Sequence, residues 1–258
     1  MAYLNIGLIV KDRIAYCTID RPDVRNALDE TTAAEIGQAL DEIERHRDVA
    51  VLVITGGGDK VFVSGADLRD LHRRKSKQVL EACLNHLFAR IDDFPKPTIA
   101  SMNGHALGGG MELALACDFR IAVAGAKLGF PEVGLGILPG AGGTQRLPRV
   151  VGLARAKELI LTADAVEAEQ AAAMGLVHRV VARADLEGAT RELAQKLASR
   201  APVALRLAKA ALNLSARVPL DAGLAVEILS QTVLFETKDK SEGINAFLEK
   251  RKPEFQGE

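Results

Sequence analysis

The sequence predicts an α/β fold followed by a helical carboxyl-terminal region. Residues 49–54 form a continuous apolar run that ends at three glycines, residues 56–58, as in a strand buried on both faces of a parallel sheet. The order strand, glycine-rich loop, helix then repeats through residues 99–118. We therefore expect a core over residues 1–199 that carries the functional site, and a helical region over residues 200–258.

The first elements follow from periodicity. Residues 3–10 and 14–19 are two β-rich runs separated by three polar residues, which predicts an antiparallel hairpin. A helix follows, with Thr32 and Glu35 expected to form a capping box at its start. Its apolar face consists of Ala33, Ile36, Leu40 and Ile43.

Later elements alternate in the same way. A second helix is predicted to end before Pro95 and Pro97, and its apolar face consists of Leu80, Leu84, Leu87 and Ile91. Further expected elements are a strand at 118–123, helices beginning near Thr144 and covering 153–161 and 168–174, and a short strand at 177–181.

Composition excludes several classes of protein. The 258 residues carry a formal net charge of -1 and only 4% aromatic residues, so we expect no nucleic-acid partner. No apolar run is long enough to span a bilayer and no targeting segment is evident, so we expect no membrane partner and a cytoplasmic location. Cys17, Cys83 and Cys117 lie in apolar patterns, which suits reduced core thiols in a reducing cytosol. The histidines lack metal-ligand spacing, so no metal is expected.

Two isolated carboxylates are the candidate reactive groups. Glu112 lies in the first turn of a short apolar helix, directly after three glycines that let a ligand approach the backbone closely. Glu132 lies in a segment bounded by proline and glycine among apolar neighbours. Each also has a simpler interpretation: Glu112 as a charge that favours the helix dipole, and Glu132 as a solvated turn residue.

The glycine-rich loops supply backbone donors. If the N–H groups near Ala66 and Gly109 point at one place, they form a pair that stabilises an oxyanion developing on a carbonyl. An apolar pocket raises the pKa of a carboxylate, so one of two neighbouring carboxylates can act as an acid near neutral pH. The combination indicates proton transfers beside a carbonyl group.

Several motifs resemble the enoyl-CoA hydratase/isomerase family, also called the crotonase family. They are Ser64-Gly65-Ala66-Asp67, residues 99–119, Pro131-Glu132 and residues 139–147. The resemblance implies a spiral of ββα repeats with a helical carboxyl-terminal region, assembled as homotrimers or homohexamers. It also implies that the N–H groups of Ala66 and Gly109 hold a thioester oxygen, that Glu112 activates water, and that Glu132 transfers the α proton.

The same resemblance implies where coenzyme A lies. The expected substrate contacts are Arg25, Asn26, Ala27, Ala66, Asp67, Leu68, Arg69, Gly108, Phe247 and Lys250. Phe247 and Lys250 would act from a neighbouring subunit, although Lys250 also fits a solvated basic helix end. Coenzyme A is part of the substrate, and no further cofactor is expected. Phe130 and residues 71–75 are expected to line the acyl pocket.

The presence of both glutamates favours hydration of a trans-2-enoyl-CoA to a 3-hydroxyacyl-CoA. The alternatives within the family are hydration of a branched substrate such as 3-methylglutaconyl-CoA, and double-bond isomerisation. A non-catalytic RNA-binding relative is the alternative from another class. Ser64 is interpreted as loop structure because no Gly-x-Ser-x-Gly elbow surrounds it, and His105 as part of the pocket wall.

Overall fold

A large sheet forms the centre of the molecule. The computed structural model describes residues 3–73, 75–76 and 83–258, so the predicted helical position Leu80 and the side chain of Cys83 lie outside the described part. The sheet has the strand order β1 (Ile6–Lys11), β2 (Ile14–Ile19), β3 (Val51–Gly56), β5 (Thr98–Met102), β7 (Phe119–Val123) and β10 (Arg179–Val181). The β1–β2 pair is antiparallel, which confirms the predicted hairpin, and the remaining pairs are parallel.

A smaller sheet runs beside the large one. Its strand order is β4 (Val61–Val63), β6 (His105–Leu107), β8 (Lys127–Gly129) and β9 (Ala165–Glu167). Strands β4, β6 and β8 are parallel, whereas β9 is antiparallel to β8. Each successive pair, β3–β4, β5–β6 and β7–β8, therefore adds one strand to each sheet. This repetition is the spiral of ββα units that the resemblance implies.

Helices follow these strand pairs and fill the carboxyl-terminal part. They are α1 (Glu30–Arg45), α2 (Leu68–Arg73), α3 (Cys83–Asp92), α4 (Gly109–Ala116), α5 (Gly143–Val151), α6 (Leu153–Leu161), α7 (Ala168–Ala173), α8 (Leu186–Ala198), α9 (Pro202–Ser215), α10 (Leu220–Phe235) and α11 (Lys238–Leu248). Short 3-10 helices cover Pro22–Val24, Pro131–Leu135 and Arg183–Asp185. The domain boundary predicted at residues 199 and 200 falls between α8 and α9. Within the described ranges, no helix combines the length and the apolar character needed to cross a bilayer.

Helix α1 has the predicted apolar face but a different start. Its predicted positions are buried, as expected for packing against the sheet. The predicted capping box of Thr32 and Glu35 is wrong. Asp29 caps the helix instead, because its side chain accepts the N–H of Thr32 at 2.8 Å. Glu35 accepts the N–H groups of Leu4 and Asn5 at 2.7 and 2.8 Å, and so fixes the amino-terminal segment.

Helix α4 lies between the two sheets. It contacts β4 and β6 of the small sheet and β5 and β7 of the large one, and all eight of its residues are buried. Arg120, itself 5% exposed, donates hydrogen bonds to the carbonyls of Ala114 at 3.3 Å and Cys117 at 2.7 Å. It also donates to the carbonyl of Leu176 at 2.8 Å. The guanidinium thus satisfies carbonyls at the carboxyl end of α4, where a positive charge is favourable.

Two thiols lie in the core. Cys17 and Cys117 are buried and free, and burial raises the pKa of each to about 12. Both side chains therefore stay protonated, which is the state expected for structural core thiols.

Candidate active site

Glu112 lies in the first turn of α4 and is held by backbone donors from a distant turn. The residue is only 3% exposed. The N–H groups of Ala141 and Gly143 both donate to Glu112 Oε1 at 2.8 Å. Burial raises the pKa of Glu112, while these two N–H groups and the charge of Arg146 act in the opposite direction. Both donors bind the same oxygen, which leaves Oε2 to accept a proton from water.

Glu132 lies on the 3-10 helix Pro131–Leu135 and has a different environment. The residue is 8% exposed, and its buried Oε2 has no hydrogen-bond partner among the described residues. Burial, together with the neighbouring charge of Glu112, raises the pKa of Glu132 to about 7. An unpaired buried carboxyl oxygen favours the neutral acid. Glu132 is therefore suited to carry a proton near neutral pH, whereas Oε1 of Glu112 accepts two backbone N–H groups, which favour its ionised form.

Gly108 separates the two acids. Its carbonyl accepts the N–H of Glu112 at 3.0 Å, and a Cβ at Gly108 would lie 2.8 Å from Glu132 Oε1. Its φ of 52° and ψ of -125° define a conformation that glycine adopts and other residues rarely do. A glycine is required here for two reasons, namely the backbone turn into α4 and the space taken by the Glu132 carboxyl group.

The two predicted backbone donors lie on loops in contact with each other. A Cβ at Gly109 would lie 3.4 Å from the nitrogen of Ala66, and one at Gly65 would lie 3.2 Å from the nitrogen of Gly109. Neither the Ala66 nor the Gly109 N–H group donates a hydrogen bond to another described residue. Gly109 opens α4, so its N–H is one of the groups a helix start leaves unpaired. Such a pair of donors suits an oxyanion.

Comparisons with known proteins agree with this geometry. The family model described as enoyl-CoA hydratase/isomerase matches residues 10–258. The chain belongs to the enoyl-CoA hydratase/isomerase family. It is 44% identical over 257 residues to a crotonyl-CoA hydratase of Syntrophomonas wolfei, covering 99% of each chain. It is 42% identical to a short-chain-enoyl-CoA hydratase of Clostridium acetobutylicum, covering 97% of each. A crystal structure of an enoyl-CoA hydratase from Bacillus anthracis superposes with a TM-score of 0.95 at 41% identity, covering 99% of this chain and 100% of that one.

Three consecutive residues that are expected to contact coenzyme A, Arg25, Asn26 and Ala27, differ in their exposure to solvent. Arg25 is exposed, with a φ of 57°. Asn26 is 1% exposed, and its amide donates to the carbonyls of Gly57 and Val61 at 2.9 and 2.8 Å. Ala27 is also buried. The side chain of Asn26 thus supports the loop, and Arg25 is the residue of the three whose side chain faces outward.

The segment from Ala66 to Arg69 leads from the donor loop into α2. Asp67 accepts the N–H of Arg69 at 2.8 Å, so its carboxylate caps this short helix. Leu68 is 60% exposed, and Arg69 is exposed as well. Of the predicted acyl-pocket segment 71–75, residue 74 lies outside the described part. Phe130 is fully buried, and its ring would lie 3.0 Å from a Cβ at Gly143, next to Glu112.

Phe247 and Lys250 lie at the end of α11. Phe247 is 84% exposed, and Lys250 is exposed with a φ of 56° where the chain leaves the helix. Neither takes part in the hydrogen bonds around Glu112 that the structure describes. Within one chain, the structure therefore brings together Ala66, Gly108, Gly109, Glu112 and Glu132, but not these two residues.

A basic cavity beside the donor loop joins the predicted substrate contact Arg25 to two basic residues that sequence reasoning missed, Lys60 and Arg183. It has a volume of about 370 Å³, and its lining includes Arg25, Lys60, Ser64, His105 and Arg183. None of the described residues that line it is acidic. His105 Nδ1 accepts the N–H of Lys127 at 2.9 Å, which agrees with its interpretation as a wall residue. Lys60 lies shortly before the recognised motif that begins at Ser64. Arg183 comes from a distant part of the sequence and donates to the carbonyl of Asn103, 80 positions earlier.

The anchors of Glu112 were also not identified from sequence. Ala141 and Gly143 belong to a glycine-rich motif, residues 139–147, that supported the resemblance without a role being assigned to its N–H groups. Among the described residues, no group of three or more His, Cys, Asp or Glu side chains is placed to hold a metal ion.

Proposed function

We propose that the protein is an enoyl-CoA hydratase that adds water to the double bond of a trans-2-enoyl-CoA and gives a 3-hydroxyacyl-CoA. The observation that carries this proposal is the pairing of two buried glutamates, one hydrogen-bonded to backbone and one not, beside two backbone N–H groups that have no partner among the described residues. Relatives named for hydration of crotonyl-CoA and short-chain enoyl-CoA support it, since each matches nearly the whole chain. We expect a short enoyl thioester such as crotonyl-CoA to be a substrate.

The proposed chemistry follows from the environments of the two acids. The N–H groups of Ala66 and Gly109 hold the thioester oxygen, where negative charge develops, and each such donor contributes about 3 to 4 kcal/mol. Glu112 takes a proton from water as the water oxygen bonds to the β carbon. The electron pair of the double bond moves into the thioester enolate. Glu132 then gives its proton to the α carbon, and the pair regains its starting state by passing one proton between the two carboxyl groups.

Coenzyme A is proposed to run from the donor loop toward the basic cavity. Arg25, Lys60 and Arg183 supply positive charge there, and the cavity borders Ser64, two residues before Ala66. Phosphate groups favour such a surface because basic side chains bind them directly. Phe247 and Lys250 stay predictions for a nucleotide contact made by a neighbouring subunit. No cofactor beyond the substrate is proposed, and the cytoplasmic location also stays a prediction.

Assembly into homotrimers or homohexamers is proposed from the carboxyl-terminal helices. Helix α10 is predominantly apolar on all sides, with Asp221 and Glu227 as its charged residues, yet none of its 16 residues is buried within its own chain. Leu220 is 78% exposed and Ile228 is 67% exposed. A helix that is apolar on all sides is normally buried, so we propose a second copy of this chain as its partner. Light scattering on Ile228→Glu is expected to give a smaller mass than the wild type.

A turnover survey tests the function. Short, medium, long and branched trans-2-enoyl-CoA thioesters are offered, and products are identified by mass spectrometry and chromatography. We expect addition of one water to the short substrate. Double-bond migration without addition of water would favour the isomerase alternative. Salt-sensitive retention of RNA without turnover would favour the binding-protein alternative.

A further inference from the structure

Arg146 connects the turn that holds Glu112 to the rest of the molecule. Its side chain is 18% exposed and lies on the first turn of α5. Nη1 donates to the carbonyl of Ala141 at 3.1 Å, and Nε donates to Asp92 Oδ2 at 3.2 Å. A Cβ at Gly142 would lie 2.0 Å from Nη1. The guanidinium therefore lies directly across the turn formed by residues 141–143, and a side chain at Gly142 would displace it.

That turn is the source of both donors to Glu112. The N–H groups of Ala141 and Gly143 reach Glu112 Oε1 only while the turn keeps its present shape. Gly142 has a φ of 109°, and a glycine has many accessible conformations. Local steric contacts alone therefore do not fix the shape of the turn. The hydrogen bond from Arg146 to the Ala141 carbonyl fixes the orientation of the peptide between residues 141 and 142.

Asp92 anchors the guanidinium. It is the last residue of α3, and Arg217 also donates to its Oδ2, at 3.1 Å. The side chain of Asn213 donates to its backbone carbonyl at 2.8 Å. Asn213 lies in the last turn of α9, and Arg217 lies just beyond the end of that helix. The anchor therefore joins α3, α5 and the carboxyl-terminal helices at one point beside the Glu112 turn.

We infer that Arg146 is a positioning residue for the hydration reaction: through the Ala141 carbonyl and Asp92 it holds the two N–H groups that orient Glu112 toward water. This inference rests on the proposed function. Arg146 acts through the turn and touches neither Ala66 nor Gly109, so its loss changes the turnover step and leaves binding of the thioester unaffected. A catalytic group displaced by about 1 Å loses on the order of 10²-fold in rate.

Access to Arg146 from solvent allows a direct test. A cavity of about 430 Å³ borders its side chain, and its lining includes Asp92, Gly142, Arg149 and Arg217. The cavity has room for a guanidinium ion beside Asp92 once the arginine side chain is removed. A planar cation that donates to both an oxygen of Asp92 and the Ala141 carbonyl would replace what the variant lacks.

The experiment compares Arg146→Ala with Arg149→Ala in steady-state hydration of crotonyl-CoA. Arg149 lies on the same helix and borders the same cavity, but its side chain donates to the carbonyl of Gln145. For Arg146→Ala we expect kcat to fall on the order of 10- to 100-fold with KM little changed. Guanidinium at non-denaturing concentration should restore kcat in a saturable manner, whereas urea, which is uncharged, should not. Arg149→Ala should keep the wild-type kcat, and neither guanidinium nor urea should change it relative to the wild type.

Three results overturn the inference: a wild-type kcat in folded Arg146→Ala, a change in KM without a change in kcat, or a fall in kcat that guanidinium does not restore. If Arg146→Ala does not fold, Asp92→Asn decides the question, because it keeps the shape of the anchor and removes its charge. A fall in kcat at unchanged secondary structure then supports the inference, and an unchanged kcat overturns it. Failure of the wild type to hydrate any enoyl-CoA would instead refute the proposed function, independently of either variant.

Discussion

Gly108→Ala gives a sharp test of how tightly the two acids are held. A Cβ at this position would lie 2.8 Å from Glu132 Oε1 and 3.4 Å from its carboxyl carbon. To restore ordinary van der Waals contact at 3.4 Å, the carboxyl oxygen must retreat by about 0.6 Å. The backbone of Gly108, at φ 52° and ψ -125°, adds a cost of about 1 to 3 kcal/mol for alanine.

The displacement and the strain affect different measurements. We expect kcat for hydration of crotonyl-CoA to fall by about 10- to 100-fold, because Glu132 no longer meets the α carbon at the right place. Thermal unfolding should shift downward by about 2 to 4 °C for each kcal/mol of strain. Gly175→Ala is the matched control: it has a φ of 80° and no atom within 4 Å of its Cβ position, so it should lose stability but not kcat. A kcat for Gly108→Ala within about twofold of the wild type would refute the reasoning.

Two further predictions concern pH and stability. Because burial raises the pKa of Glu132 to about 7 and the reaction needs its proton, kcat/KM should fall as pH rises through about 7. The residual activity of Glu132→Gln should lack that limb in the same pH series. Arg120→Met removes three hydrogen bonds to the carbonyls of Ala114, Cys117 and Leu176. It should lower the free energy of unfolding by at least about 2 kcal/mol in urea titrations, and equal stability would show that these bonds contribute little.

Local patterns in the sequence were sufficient for most of the elements. The alternation of apolar runs and glycine-rich loops predicted the parallel strands, because burial on both faces leaves a continuous apolar signature. The same pattern placed Glu112 at a helix start and Ala66 on a neighbouring loop. The ββα spiral itself came from the resemblance, since periodicity does not state which strands pair across a second sheet.

Contacts between side chains and distant backbone groups could not be predicted from the sequence, for a physical reason. The N–H groups that hold Glu112 come from 29 and 31 positions further along the chain. Glu35 was assigned to a local cap, but it accepts N–H groups 31 and 30 positions away. The side chain of Asn26, a predicted contact of coenzyme A, donates to the carbonyls of Gly57 and Val61, 31 and 35 positions away. In each case a polar side chain has several partners that satisfy it equally well, and the packing of distant elements decides among them.

The most direct test of the central claim is the rate of crotonyl-CoA hydration by Glu112→Gln and Glu132→Gln, with Glu158→Gln as a control on an exposed ion pair. Glutamine keeps the shape of each side chain but can neither take the proton from water nor give one to the α carbon. If the two acids act as proposed, each variant loses about 10²- to 10⁴-fold in kcat while the control is unchanged. Near-wild-type hydration by both variants would contradict the account.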